Sequence, residues 1–206
     1  MAHLERRLPD PKELFSLLQF SLPTLNRREA RLERAADVED LRAIAKRRTP
    51  TPAFDYVDGA AENEATARRA REAFDAVELV PKVLSPTPNI NLETTIAGRR
   101  SQLPFGIAPT GFTRFMHSEG EDAGAAAARR AGIPFSLSTM GTRSIEEVAE
   151  VSQEGIRWFQ LYVWKDREAS LELVQRAWDS GFDTLLVTVD TPVAGQRLRD
   201  ARNGMT

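Results

Sequence analysis

Two short apolar runs carry polar side chains where plain packing would not put them: Phe159-Gln160-Leu161-Tyr162-Val163 and Leu186-Val187-Thr188-Val189-Asp190-Thr191-Pro192. Side chains on a strand alternate with period two, so Gln160 and Tyr162 share one face, as do Thr188 and Asp190. A fully buried parallel strand should read as a near-continuous apolar run. Amide and hydroxyl groups aimed inward are costly unless something pairs with them. Three further groups belong with these. Ala108-Pro109-Thr110-Gly111 ends an earlier run, with a proline that removes a donor and a glycine that permits close approach of a flat ligand; a simple strand-to-loop exit explains it equally well. Ser138 and Thr139 are hydroxyls that either serve a ligand or merely occupy a loop. Arg197 and Arg199 lie in Gly195-Gln196-Arg197-Leu198-Arg199-Asp200, where a guanidinium fork suits a carboxylate, although loop arginines are commonly just solvated.

Other chemistries are excluded or weakened. The chain has no cysteine, hence no disulfide, thiolate metal site or cysteine nucleophile. It has neither a dinucleotide glycine fingerprint nor a Walker loop, and no zinc-protease or nucleophile-elbow spacing. No metal site is expected. Of the two histidines, His3 sits in the tail and His117 in a loop that opens a helix, where a structural role is the simpler reading. A net charge of -2 argues against non-specific nucleic-acid binding. The clusters Arg27-Arg28 and Lys46-Arg47-Arg48 read as solvated helix faces among acidic neighbours.

The elements that must position these side chains follow from periodicity and caps. Pro11 to Phe20 reads as a helix capped by Asp10, and Asp37 to Ala45 as a second. Pro50 and Pro52 end that helix and start a short segment, Phe54 to Gly59. Glu62 to Phe74 is helical, Val77 to Val83 alternates loosely as a strand, and Ser85-Pro86-Thr87-Pro88-Asn89 is the clearest linker. From Pro104 the rhythm becomes strand, loop, helix, repeated. Strands are expected at Pro104–Pro109, Pro134–Ser138, Arg157–Val163 and Thr184–Val189. Helices are expected at Glu119–Ala131, from Ser144 with a capping-box pattern, and from Asp166 to Ser180 before Gly181. Alternation of this kind means a parallel sheet with right-handed crossovers.

The fold class is therefore α/β: about four βα units, the N-terminal half of a TIM (β/α)8 barrel, preceded by a helical extension with a short β element. The expected division is 1–103 for the extension and 104–206 for the half barrel. Ligands of such barrels sit at the C-terminal ends of the strands, which is where Gly111, Ser138, Gln160 and Thr188 fall.

Taken together, Phe54-Asp55-Tyr56-Val57-Asp58-Gly59-Ala60, Ile107-Ala108-Pro109-Thr110-Gly111, His117-Ser118-Glu119-Gly120-Glu121, Leu137-Ser138-Thr139, Phe159 to Val163 and Thr188 to Pro192 resemble the FMN-dependent 2-hydroxy acid dehydrogenase and oxidase family. They occur in that family's order and spacing from about Asp37 onward. The closing Gln196 to Met205 most resembles its respiratory L-lactate dehydrogenase branch.

The resemblance implies FMN as cofactor and a small 2-hydroxy acid, L-lactate by preference, as substrate. It implies that the backbone of Ala108, Pro109, Thr110 and Gly111 lines the flavin ring. Ser138, Gln160 and Thr188 would hydrogen-bond the ring. Tyr56, Tyr162 and Arg197 would hold substrate, with Arg197 on the carboxylate and Tyr162 also counted as catalytic. Gly111, where oxidases of the family often carry alanine, tilts the reading toward a dehydrogenase. The family's lysine, its histidine base with a nearby arginine and its phosphate-gripping loops would lie beyond Thr206, and neither histidine present aligns with that base. The expectation is then an N-terminal portion that turns over little substrate alone, cytoplasmic or peripheral to the inner membrane face. Membrane association would come only through residues beyond this chain, and the complete protein would be a homo-oligomer, a tetramer. The rival expectation is a non-catalytic half barrel that pairs with itself or a complementary chain; a third is another TIM-barrel enzyme sharing only the fold.

Overall fold

The computed structural model describes Asn26, residues 29–84 and residues 89–205. The helix expected at Pro11–Phe20 and most of the Ser85–Asn89 linker lie outside the described residues. The chain divides into two compact units, Met1–Arg48 and Thr49–Thr206.

In the first unit, α1 (Glu29–Leu32) is followed by α2 (Val38–Arg48). The Asp37 carboxylate accepts the Asp40 N–H at 2.9 Å and so caps α2. Lys46, Arg47 and Arg48 fill its last turn, where cations meet the negative end of the helix dipole.

The second unit opens with α3 (Thr51–Asp58). Residues 54–58 of the short segment expected there are helical, and Gly59 follows as the C-cap. Pro50 precedes α3 and Pro52 sits in its first turn, where a missing N–H breaks no intrahelical bond. Next comes α4 (Ala65–Asp75). The strand expected at Val77–Val83 does not form: these residues are fully exposed coil, with Leu79 at 89% and Val80 at 94% exposure. Alternation alone makes no strand when no partner edge is at hand. The β element is instead a hairpin, β1 (Thr94–Ile96) with β2 (Arg99–Ser101), antiparallel and in register Thr95 to Arg100. Ala97 (φ 47°) and Gly98 (φ 79°) supply the two positive-φ residues of its two-residue turn.

The remainder is βα in rhythm: α5 (Gly120–Ala131), β3 (Phe135–Ser138), α6 (Ile145–Ser152), β4 (Arg157–Tyr162), α7 (Arg167–Asp179), β5 (Thr184–Thr188) and a short α8 (Leu198–Arg202). The sheet is parallel in the order β3-β4-β5, pairing Ser138 with Gln160 and Tyr162 with Thr188. Of the expected strand at Pro104–Pro109, a single parallel bridge from Ile107 to Phe135 is present. Prolines at both ends of that run remove the donors a longer ladder would use. The described residues therefore hold a partial α/β fold and no closed barrel. No helix among them is long and apolar enough to cross a membrane.

Helix boundaries have local causes. Ser144 Oγ accepts the Glu147 N–H at 3.2 Å while the Glu147 carboxylate accepts the Ser144 N–H at 2.8 Å, a complete capping box on α6. Asp166 caps α7 through the Ala169 N–H at 3.0 Å. The core lies between α5, α6 and α7 and the sheet: Ala125, Ala128, Phe135, Leu137, Val148, Phe159, Ala177 and Phe182 are buried there. Phe159 and Phe182 meet edge-on at 6.3 Å.

Candidate functional site

The C-terminal ends of β3, β4 and β5 form one hydrogen-bonded polar row. Gln160 is its centre and is only 3% exposed. Its Oε1 accepts from Ser138 Oγ at 3.1 Å and from the Thr139 N–H at 3.2 Å, and its Nε2 donates to Thr188 Oγ1 at 2.6 Å. Ser138 Oγ in turn accepts the Met140 N–H at 3.1 Å. Thr139 Oγ1 donates to the Gln160 carbonyl at 2.5 Å and accepts the Tyr162 N–H at 3.0 Å. An amide has two donors and a hydroxyl one. The second Gln160 Nε2 hydrogen and the Thr188 hydroxyl hydrogen therefore remain to be offered to something outside the row.

A buried acid sets the loops around this row. Glu121, in the first turn of α5, is 2% exposed. It accepts the Thr142 N–H at 2.7 Å and the Thr142 hydroxyl at 2.6 Å. Burial pushes its carboxyl pKa up, but the hydroxyl and backbone bonds together outweigh that and hold it below the ordinary 4.5. Thr142 Oγ1 also accepts the Arg114 N–H at 3.3 Å, and the Phe112 N–H donates to the Met140 carbonyl at 2.9 Å. The turn after Gly111 and the loop after β3 are thereby fastened to each other. A Cβ at Gly111 would come within 2.9 Å of the Met140 Cβ, so glycine is what this approach of two backbones requires. Glu121 stood in a quoted motif of the sequence without a role; a carboxylate directly after the helix-opening Gly120, on the side of an Ala-rich helix that faces the core, is the signal that could have found it.

A second cluster joins α3 to α8. The Arg197 guanidinium lies over the Tyr56 ring, 5.1 Å from its centroid. Its Nε donates to Asp200 Oδ2 at 2.6 Å, and one Nη donates to the carbonyls of Tyr56 and Gly59. The other Nη makes no hydrogen bond to a described residue, nor does the Tyr56 hydroxyl. The Tyr56 ring packs edge-on against Phe112 and Phe115, each at 6.1 Å, which sets this cluster beside the turn that follows Gly111. Arg199 grips the acidic residues on either side of Tyr56 and beyond it. It bonds Asp58 at 2.8 Å and Glu64 at 2.6 Å, with Asp55 at 3.5 Å. The Glu64 carboxyl bonded to it is held below its usual range, and the Arg199 pKa is raised by Glu64 first and Asp58 second.

The structure thus brings Ser138, Gln160 and Thr188 together, and Tyr56 and Arg197 together. Tyr162 is half-buried at the end of β4, its N–H held by Thr139 and its hydroxyl bonded to no described residue. No hydrogen bond or ring contact ties it to the Tyr56 and Arg197 pair. Ala108, Pro109, Thr110 and Gly111 run as open loop beyond the Ile107 bridge, with Ala108 and Thr110 exposed. Asp190 is exposed and lies past the end of β5. His117 Nδ1 accepts the Glu119 N–H at 3.2 Å, a turn contact.

Comparison with known proteins places this arrangement. Residues 45–206 match the model of the FMN-dependent dehydrogenase family. Over 203 residues the chain is 53% identical to a Mycobacterium tuberculosis protein named "Putative L-lactate dehydrogenase", covering 98% of this chain and 49% of that protein. It is 45% identical to the L-lactate oxidase of a Nostoc species, covering 78% of this chain and 45% of that one. A crystal structure of mandelate oxidase superposes with a TM-score of 0.79 at 40% identity, covering 84% of this chain and 51% of that chain. Another mandelate oxidase structure, described as holding an FMN adduct, gives 0.77 at 41% identity, with 81% and 50% covered. The chain spans about half the length of the curated relatives it matches. Matched over more than half its length by the family model, the chain belongs to the FMN-dependent dehydrogenase family.

Proposed function

We propose that the protein oxidises an L-2-hydroxy acid, L-lactate first among candidates, to the 2-oxo acid with FMN as cofactor. The observation that carries this reading is the pairing of two unspent donor sets. One is the strand-end row, which fits the flavin ring: the free Gln160 Nε2 hydrogen and the Thr188 hydroxyl are fixed donors at a barrel-type ligand position, suited to the ring's nitrogen and oxygen acceptors. The other is the Tyr56 and Arg197 pair, which offers a fixed cation edge and a phenol to an anionic substrate. When bound, FMN supplies the acceptor for the hydride equivalent leaving the substrate α-carbon.

Within that reading each residue has a task. Arg197 binds the substrate carboxylate through the Nη not used on the protein. The Tyr56 and Tyr162 hydroxyls hydrogen-bond the carboxylate and the 2-hydroxyl. Ser138 and Thr139 lock the Gln160 amide so that its remaining hydrogen points one way. The backbone from Ala108 to Gly111 walls the ring, with Gly111 letting that wall close on Met140. The proton of the substrate hydroxyl needs an acceptor, and His117 is poorly placed for that work because its Nδ1 already receives the Glu119 N–H. Glycine at position 111 supports use as a dehydrogenase over use as an oxidase. The test is dye-linked turnover by the full-length FMN-loaded protein on L-lactate, glycolate and L-mandelate. Saturable turnover on L-lactate supports the proposal, and inactivity on all three contradicts it.

One observation favours a second reading, a half barrel that pairs with another chain. Strand β5 has no partner on its outer edge among the described residues, and Leu185 and Val187 on one of its faces are 43% and 48% exposed. Unpaired strand edges recruit other strands. A monomer in sedimentation experiments would count against it.

A further inference from the structure

We propose that Arg199 is a positioning residue, holding Tyr56 and Arg197 in the geometry that a carboxylate ligand needs. The mode of action is visible in what each arginine grips. Arg197 is oriented by the carbonyls of Tyr56 and Gly59, both at the C-terminal end of α3. Those carbonyls are the unpaired, partially negative end of the helix. They orient Arg197 only while that end stays in place against residues 196–205.

Arg199 joins those two segments. Its Nη1 holds Asp58 in the last turn of α3, and its Nη2 holds Glu64 beyond the following turn, so one guanidinium spans Gly59 from both sides. Glu64 Oε1 accepts the Ala60 N–H at 3.3 Å, carrying the grip into the turn itself. Two further bonds run in parallel: the Glu62 N–H donates to the Gln196 carbonyl at 2.7 Å, and Asn203 Nδ2 donates to Asp55 at 2.8 Å. The Asp58 side chain is only 10% exposed. A lone exposed ion pair contributes little, whereas several charges meeting in a partly buried network with directional forks can fix geometry.

The two arginines, one residue apart in sequence, thus divide the work. Arg197 leaves one Nη for a ligand and Arg199 leaves none, being committed to Asp55, Asp58 and Glu64. The inference rests on the proposed function only in naming a 2-hydroxy acid as the ligand.

Hydrogen–deuterium exchange and steady-state kinetics on the full-length protein test it together. In Arg199→Ala, residues 54–62 and 196–205 should exchange faster while β3 and β4 keep wild-type protection. The KM for L-lactate should rise about tenfold or more, with kcat changed less, as expected when roughly 1.4 kcal/mol of carboxylate binding is lost. Arg199→Lys, which keeps the charge but not the fork, should retain protection and show a smaller rise in KM. Asp58→Asn should fall between the two. Unchanged exchange in Arg199→Ala, or loosening that extends through the sheet, would overturn the positioning role, as would local loosening with unchanged KM. A wild-type protein without activity on L-lactate would contradict the proposed substrate, and the exchange pattern would still decide whether Arg199 holds the pair.

Discussion

Arg197 spends its Nε and one Nη on the protein, and its other Nη bonds no described residue, which is the edge the proposed function gives to the substrate carboxylate. Arg197→Ala should therefore raise the KM for L-lactate by about ten- to a hundredfold, the range given by losing a hydrogen bond to a charged group, and steady-state kinetics checks it. Gln160 is a different kind of residue, because its neighbours depend on it. In Gln160→Leu the Ser138 Oγ loses its acceptor beside a buried strand end, while the Thr139 N–H keeps the carbonyl of residue 160. We expect a loss of about 1–3 kcal/mol of folding stability together with weaker FMN retention, read by denaturant titration and by flavin remaining after desalting. At this scale the sequence was informative: inward polar positions on otherwise apolar strands marked Gln160 and Thr188, and the structure pairs them. It marked Arg199 beside Arg197 as suited to a carboxylate but could not separate the two, since a committed arginine and a solvated one look the same until Asp58 and Glu64 are placed around it.

At the scale of elements, strong local chemistry was legible and partner-dependent structure was not. The capping box at Ser144 and Glu147, the Asp166 cap and the glycine after α5 set boundaries through bonds within a few residues, and the helices form where those signals lie. The hairpin at Thr94–Ser101 depends on the Ala97-Gly98 turn, a weaker signal than asparagine-glycine, and Val77–Val83 had the alternation of a strand without an edge to join. Glu121 belongs here too, because it couples α5 to the loop after β3. Its folded-state pKa is depressed, so its carboxylate contributes stability that is fully present above the usual value of 4.5 and is lost as pH falls through the lower folded value. The stability difference between wild type and Glu121→Gln should be constant near neutral pH and shrink below about that value. Urea titrations across the acid range check this; a gap that does not narrow would contradict it.

For the molecule as a whole, three parallel strands and their covering helices bring Ser138, Thr139, Gln160 and Thr188 into one hydrogen-bonded row. The α3 and α8 segments bring an arginine and a tyrosine beside the turn that leaves Gly111. This is why a parallel α/β arrangement was legible from the strand and helix rhythm alone. The pairing of Tyr56 with Arg197, 141 residues apart, was reachable only through family resemblance. The central claim, that this site holds FMN and passes it the hydride equivalent of a 2-hydroxy acid, is tested most directly by one spectrum. The full-length protein is mixed with FMN, desalted, and titrated anaerobically with L-lactate while the visible flavin band is followed. The account predicts that flavin is retained and that its band bleaches with L-lactate and not with the D-enantiomer. Flavin that washes away, or a retained band that no L-2-hydroxy acid bleaches, would contradict it.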